Sequence, residues 1–205
     1  VAVFQDCGIN RVSLGVQDFN PTVQDLINRR QPFGIVKEAV DKLRAAQITA
    51  LSFDLMYGLP GQTEASVIET AHRAVELNPD RMSVFGYAHV PWFKKNQCAI
   101  DESRLPGPME RLQQAEAIGR VLDDGGYLQV GFDHFARPYD PLAFAVRQKR
   151  LRRNFQGYTD DTGSVLLGFG ASAISTLPGG HVQNEPRAEV YGKAIEAGRL
   201  PIVRG

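Results

Sequence analysis

The segment Arg153-Asn154-Phe155-Gln156-Gly157-Tyr158-Thr159 sets guanidinium, amide, aromatic and hydroxyl groups side by side in an order that neither helix nor strand periodicity explains. Phe155 and Tyr158 offer stacking area, while Asn154 and Gln156 offer both donors and acceptors, so the segment reads either as a site or as a structural loop anchored by Phe155. A second set of polar residues falls at predicted strand ends: Gln17 and Asp18, Asp54, His89, and Asp133 with His134. A bound cofactor with amino, carboxylate and hydroxyl groups needs fixed donors and acceptors at such places, although Gln17 and Asp54 would serve equally as cap or turn residues.

Other candidates carry weaker signals. Asp133, His134 and Arg137 invite a general-acid reading, yet a His-Asp pair is also a common structural pairing. Arg147, Lys149, Arg150, Arg152 and Arg153 form a basic run, which by itself reads as a solvated face. Gly168-x-Gly170-x-x-Ala173 matches the G-x-G-x-x-A form of a dinucleotide fingerprint, but Leu177-Pro178-Gly179-Gly180 interrupts the helix that must follow it. The turn Gly58-Leu59-Pro60-Gly61-Gln62 frames Asp54 and Tyr57 without chemistry of its own. Cys7 and Cys98, far apart, make neither a disulfide framework nor a metal-binding run.

The elements that must position these groups alternate between two periods. Residues 11–17 put Val12, Leu14 and Val16 on one face and Ser13, Gly15 and Gln17 on the other, the period of a strand. Residues 49–55 repeat the pattern, with Leu51, Phe53 and Leu55 opposite Ala50, Ser52 and Asp54. Further strands are expected over 82–88, 127–132 and 165–169. Asn20-Pro21 has the form of a helix cap followed by proline at the first helical position. Apolar stripes predict helices over 34–47 (Ile35, Val36, Ala39, Val40, Leu43), 64–77 (Val67, Ile68, Ala71, Ala74, Val75, capped by Thr63) and 108–123 (Met109, Leu112, Ala115, Ile118, Val121, Leu122). Strands alternating with helices imply an α/β fold with a parallel sheet. Bulky aliphatics on one strand face and small or polar groups on the other favour a barrel with a ligand inside, and in barrels chemistry sits at the C-terminal ends of the strands.

Composition narrows the classes. A chain of 205 residues with 43% hydrophobic content can bury a sizeable core. Twenty-three basic residues balance twenty-three acidic ones, which removes the electrostatic footprint of a nucleic-acid binder. No apolar run is long enough to span a bilayer, and two cysteines fit a cytoplasmic protein.

Five blocks in order, Leu14–Phe19, Asp54–Thr63, Tyr87–Trp92, Asp133–Leu142 and Arg153–Thr159, resemble the oxygen-independent coproporphyrinogen III oxidase (dehydrogenase) family of radical S-adenosylmethionine enzymes, across most of the chain. The resemblance implies an incomplete (β/α)6 barrel, TIM-like and with parallel strands, of which residues 1–175 would be the second half, with 176–205 a linker. It implies S-adenosylmethionine and a [4Fe-4S] cluster as cofactors. The family's C-x3-C-x2-C cluster run is missing, so its ligands would lie outside this chain, as in an internal fragment. The implied reaction decarboxylates two propionates of coproporphyrinogen III to vinyl groups, giving protoporphyrinogen IX, through a 5'-deoxyadenosyl radical and with an unidentified electron donor. Gln17, Arg29, Asp54, Ala88 and Ile174 match positions that contact S-adenosylmethionine; without the family, Arg29 beside Arg30 would read as a solvated helix end. Arg153, Phe155, Gln156 and Tyr158 match the substrate or second-cofactor region, and the basic run could receive propionates. Asp133 and His134 stay second-rank catalytic candidates. A cytoplasmic monomer without nucleic-acid or membrane partners is expected. The alternatives are a haem chaperone of the same superfamily, which lacks the segment 154–159, and a cluster-free nucleotide-binding barrel enzyme.

Overall fold

The strand period of residues 11–17 and 49–55 is realised in the computed structural model of the chain, which describes residues 1–155 and 157–205. Two compact units are present, Val1–Leu151 and Arg152–Gly205. The first begins with a short helix, α1 (Ala2–Asp6), followed by β1 (Arg11–Gln17). Asn20 caps α2 (Pro21–Leu26) as expected: its side-chain oxygen accepts the amides of Thr22 and Val23 at 2.9 and 3.3 Å, and Pro21 stands where no N–H is required. Helix α3 (Phe33–Ala45) buries Val36, Val40 and Leu43, whereas Ile35 from the predicted stripe is exposed.

Strand β2 (Ala50–Tyr57) buries Leu51, Phe53 and Leu55. Thr63 then starts α4 (Glu64–Glu76), accepting the Ser66 amide at 3.2 Å while the Ser66 hydroxyl accepts the Thr63 amide at 3.0 Å, a reciprocal cap. Strand β3 (Arg81–Gly86) leads through a long loop into α5 (Pro108–Asp124), which buries Gln114, Ala117, Ile118, Val121 and Leu122. Met109 and Leu112 of the predicted stripe are exposed on the first turns of α5, so the buried face begins later than the pattern suggests.

The expected fourth parallel strand over 127–132 is instead a hairpin. Strand β4 (Leu128–Val130) is reversed at Gly131, whose φ of +76° suits glycine, into β5 (His134–Ala136), and α6 (Pro141–Arg147) follows. The sheet order is β1-β2-β3-β5-β4; β1, β2 and β3 run parallel, while β5 is antiparallel to both β3 and β4. The fold is therefore α/β with a mixed sheet. One sheet face and helices α3, α4 and α5 share the main apolar core, which includes Val16, Val40, Leu51, Phe53, Leu55, Ala71, Met82 and Ile118.

The second unit contains the hairpin β6 (Arg152–Asn154) and β7 (Gly157–Thr159), then β8 (Ile174–Leu177), β9 (Gly180–Asn184), α7 (Ala188–Glu196) and β10 (Ile202–Arg204). Strands β10, β9 and β8 form an antiparallel sheet in that order. The strand expected over 165–169 is reduced to a single bridge from Leu166 to Thr176. The unit boundary lies at Leu151 and Arg152, not at 175 and 176, and residues 176–205 carry regular structure where a linker was expected. The physical reason is the Pro178-Gly179-Gly180 turn, which folds β9 back on β8.

Beyond the apolar core, a buried polar web ties the end of β1 to the helices. Asp18, 1% exposed, accepts the Asn20 amide at 2.5 Å, the Gln62 amide group at 2.6 Å and the Thr70 hydroxyl at 3.1 Å. Gln114 extends the web, accepting the Gly58 amide at 2.9 Å and donating to the Gln62 carbonyl at 3.2 Å. Burial pushes the Asp18 carboxyl above its ordinary range, against the pull of its hydrogen bonds to Gln62, Asn20 and Thr70.

Replacing Asp18 with Ala strands these donors in a dry site and is expected to lower the unfolding free energy by about 2–4 kcal/mol, measured by urea titration. The native carboxyl holds its proton to higher pH than the unfolded one. Its contribution is therefore fully present below the unfolded value and is lost as pH rises through the raised native value, a dependence that Asp18→Asn should remove.

Candidate functional site

Because side chains alternate along a strand, the sheet face turned away from α3, α4 and α5 presents Ser13 and Gly15 from β1, Ser52 and Asp54 from β2, and Ser83 and Phe85 from β3. The expectation of small or polar groups on this face holds for Ser13, Gly15, Ser52 and Asp54 and extends to Ser83 of β3, where Phe85 is a large aromatic exception. Strand β2 runs on to Tyr57, so Asp54 lies within the strand rather than at its end, while Gln17 is the last residue of β1.

The register slips between Gly15 and Gln17, and Gln17 takes a φ of +65°. The bulge carries the Gln17 side chain back over Gly15, where an added Cβ would stand 2.6 Å from Gln17 Nε2 and 3.1 Å from Arg29 Nη2. Arg29 reaches the same spot and donates to the Gly15 carbonyl at 2.7 Å. Gly15 is the Cα partner of Asp54 on β2, so Gln17, Arg29 and Asp54 share one patch. Asp54 accepts the Ser13 hydroxyl at 3.3 and 3.4 Å and is the Cα partner of Ser83 on β3. Burial raises the Asp54 carboxyl above its ordinary range, and Ser13, Ser83 and His134 act in the opposite direction.

Ala88 is exposed in the loop after β3, and its carbonyl accepts the Gln97 side-chain amide at 3.1 Å. His89 is held between the Tyr87 hydroxyl at 2.9 Å and Glu102 at 3.1 Å, which braces this loop. His134 and Asp133 are paired at 2.7 Å, and His134 joins the polar face as the Cα partner of Ser83. Arg137 does not join them: it donates to the Gly125 carbonyl at 2.6 Å and to Asn78 at 2.5 Å and lies 3.9 Å from the Tyr127 ring centre. Its role is to strap the turn after α5.

In the second unit, Phe155 at the β6–β7 hairpin is 60% exposed and meets the His181 ring edge-on at 4.4 Å, a partner that spacing gave no reason to expect. Arg153 lies 5.4 Å from the Tyr158 ring centre. Gln156 falls outside the described residues. Arg147, Lys149, Arg150, Arg152 and Arg153 are all exposed, with Arg150 bonded to Gln148 and Arg147 set against Phe144. Ile174 opens β8, and the Gly168 to Ala173 stretch leads into that strand, not into a helix, so no dinucleotide fold forms. Gly168 lets its backbone approach Ile174 itself: a Cβ there would be 2.7 Å from the Ile174 carbonyl oxygen. Ser13 and Ser83 were missed as site residues, although the alternation of β1 and β2, carried into residues 81–86, was enough to find them.

Cys7 and Cys98 are exposed and unbridged. Among the described residues no group of three or more His, Cys, Asp or Glu side chains is placed to hold a metal ion.

Residues 1–74 match the radical SAM superfamily. The chain is 55% identical over 97% of its length to an oxygen-independent coproporphyrinogen III oxidase of Bradyrhizobium diazoefficiens, and 50% identical over 97% to one of Cereibacter sphaeroides. It spans 44% of each of these relatives. The solved coproporphyrinogen III oxidase (HemN) of Escherichia coli, a radical SAM enzyme, superposes with a TM-score of 0.87 at 42% identity, covering 98% of this chain and 46% of that one.

Replacing Gly168 with Ala should force β8 away from the Leu166–Ser172 stretch, because the atoms in the way are backbone. The expected outcome is a loss of about 1–3 kcal/mol confined to the second unit, read as faster limited proteolysis within 152–205 than within 1–151.

Proposed function

Since the chain belongs to the oxygen-independent coproporphyrinogen III oxidase family of radical S-adenosylmethionine proteins, we propose that its sheet forms the cofactor-holding wall of an enzyme that oxidatively decarboxylates coproporphyrinogen III to protoporphyrinogen IX. The observation that carries this reading is the convergence of Gln17 and Arg29 over Gly15, in register with Asp54. That donor set suits S-adenosylmethionine. The Arg29 guanidinium complements a carboxylate, the Gln17 amide offers both donor and acceptor, and Asp54 offers an acceptor to an ammonium or hydroxyl group. The bare Cα of Gly15 is what gives Gln17 and Arg29 room to meet.

In this reading β1, β2 and β3 are consecutive strands of an incomplete (β/α)6 barrel, with the polar face inside. The [4Fe-4S] cluster is bound by residues outside this chain. Bound together, S-adenosylmethionine and the cluster supply the one-electron chemistry that removes a hydrogen from a propionate side chain, with electrons from a separate donor. The chain's own residues bind and orient. Arg29 and Asp54 set the cofactor's position, while Ala88 borders it with a small side chain on a loop braced by Gln97. Ile174 is assigned to S-adenosylmethionine with the residues above, Arg153, Phe155, Gln156 and Tyr158 are assigned to a second cofactor or the substrate, and the exposed arginines of the basic run are suited to propionates. Asp133 and His134 act from the polar face. Decarboxylation is preferred to haem transfer because the segment 154–159 is present and the relatives of 50% and 55% identity are named as oxidases.

In the whole protein, Asp54→Ala is expected to weaken S-adenosylmethionine binding by about 1.5–3 kcal/mol, the range for a hydrogen bond to a charged group, with cluster content and folding intact. Phe155→Ala and Gln156→Ala should impair turnover while leaving that affinity near its normal value. Anaerobic binding and turnover assays on the variants check both, and wild-type behaviour in all of them would remove these residues from the site. Gly15→Ala should fold, since the atoms it meets are ends of flexible side chains, but should lose affinity by displacing Gln17 and Arg29.

A further inference from the structure

Gly15, Asp54, Ser83 and His134 are successive Cα partners across β1, β2, β3 and β5, so their side-chain positions form one row on the open face. Within this row Ser83 is only 5% exposed, although its neighbours Met82 and Val84 belong to the apolar core and nothing in that core requires a hydroxyl. Ser83 stands beside Asp54 as its Cα partner on β3, and the Ser13 hydroxyl donates to the same carboxylate from β1 at 3.3 and 3.4 Å. At the far end, the 2.7 Å contact between Asp133 Oδ1 and His134 Nδ1 fixes the imidazole, and Phe85 packs edge-on against that ring at 5.9 Å.

The other charged groups on this face have prior engagements. Arg29 donates to the Gly15 carbonyl, and Arg81 grips Asp140 at 2.9 and 3.0 Å, with Arg11 3.8 Å from the same carboxylate. Asp54 therefore accepts a hydroxyl from β1 and shares its row with Ser83 of β3 and, one strand further, the Asp133-bonded imidazole of β5. A half-buried carboxyl left without such partners would take up a proton and cease to be a full acceptor.

We propose that Ser83 and the Asp133-oriented His134 are positioning residues for Asp54, holding its carboxylate charged and aimed at the donor group of the bound cofactor. This rests on the reading of Asp54 as a cofactor-holding residue. The sign follows from the row. Burial already lifts the Asp54 carboxyl, so affinity that depends on its charge declines as pH falls through the raised value. Removing the Ser83 hydroxyl or the His134 ring lifts the carboxyl further and moves that decline to higher pH.

The test is equilibrium dialysis of S-adenosylmethionine against the cluster-loaded whole protein, from mildly acidic to mildly alkaline pH. Ser83→Ala and His134→Asn should bind about three- to tenfold more weakly at neutral pH, the loss expected from one hydrogen bond, with the deficit widening on acidification. Asp133→Asn should follow His134→Asn, and Ser83→Thr, which keeps the hydroxyl, should retain the wild-type profile. Wild-type affinity and pH profile in Ser83→Ala and His134→Asn would overturn the proposal. A pH-independent loss accompanied by lower thermal stability would overturn it equally, as the mark of a merely structural role. Unchanged binding in Asp54→Ala would instead remove the underlying reading, so the two failures are separable.

Discussion

The pairing register of β1, β2 and β3 is the constraint on which the rest of the structure depends. With a side-chain period of two, the same register that seats Leu51, Phe53 and Leu55 in the core turns Ser52 and Asp54 to the opposite face. A slip of one residue would bury a carboxylate among aliphatics and expose a leucine stripe, so the apolar core enforces the position of the polar row. Site geometry is in this sense a by-product of burial. Asp54, Ser83 and Gly15 stand in line because Leu55, Val84 and Val16 cannot leave the core.

Regular strand geometry alone would not bring Gln17 to Asp54. The bulge at the end of β1 does so, by taking Gln17 into the left-handed region and folding its side chain back over a residue that has none. A bulge at a strand end is held only if the chain beyond it is anchored. The anchor is polar. Asp18 gathers donors from the α2 cap, the turn after β2 and helix α4, and Gln114 of α5 closes the web on Gly58. Buried hydrogen bonds are directional, and a fully satisfied web of them holds a strand end more narrowly than apolar contact can.

The second unit follows a different logic. Its sheet is small and antiparallel, and it relies on close backbone approach, with Gly168 against Ile174 and the Asn184 side-chain amide donating to the carbonyls of Gly168 and Gly170 at 3.1 and 3.0 Å. Phe155 is left largely exposed on a tight hairpin, with the His181 ring at its edge.

The amino-acid sequence by itself determined the local periods, and with them β1, β2, β3, helices α3, α4 and α5, the Asn20 and Thr63 caps, and the apolar and polar faces of the strands. Each of these depends on residues within a few positions of one another. It also carried the motif blocks that contain Gln17, Asp54 and the 153–159 segment. Tertiary structure alone decided the reversal at Gly131 that makes β4 and β5 a hairpin, the return of β9 on β8, the buried web of Asp18, and the alignment of Asp54 with Ser83 and His134. The two hairpins turn on local residues but pair only once the sheets they join have formed, whereas the Asp18 web spans 44 and 52 positions to Gln62 and Thr70, and Asp54 lies 29 and 80 positions from Ser83 and His134, distances that no local pattern encodes. Arg137 shows the same limit: beside His134 in sequence, it points to Gly125 and Asn78, because its guanidinium meets its acceptors only once the turn after α5 has closed.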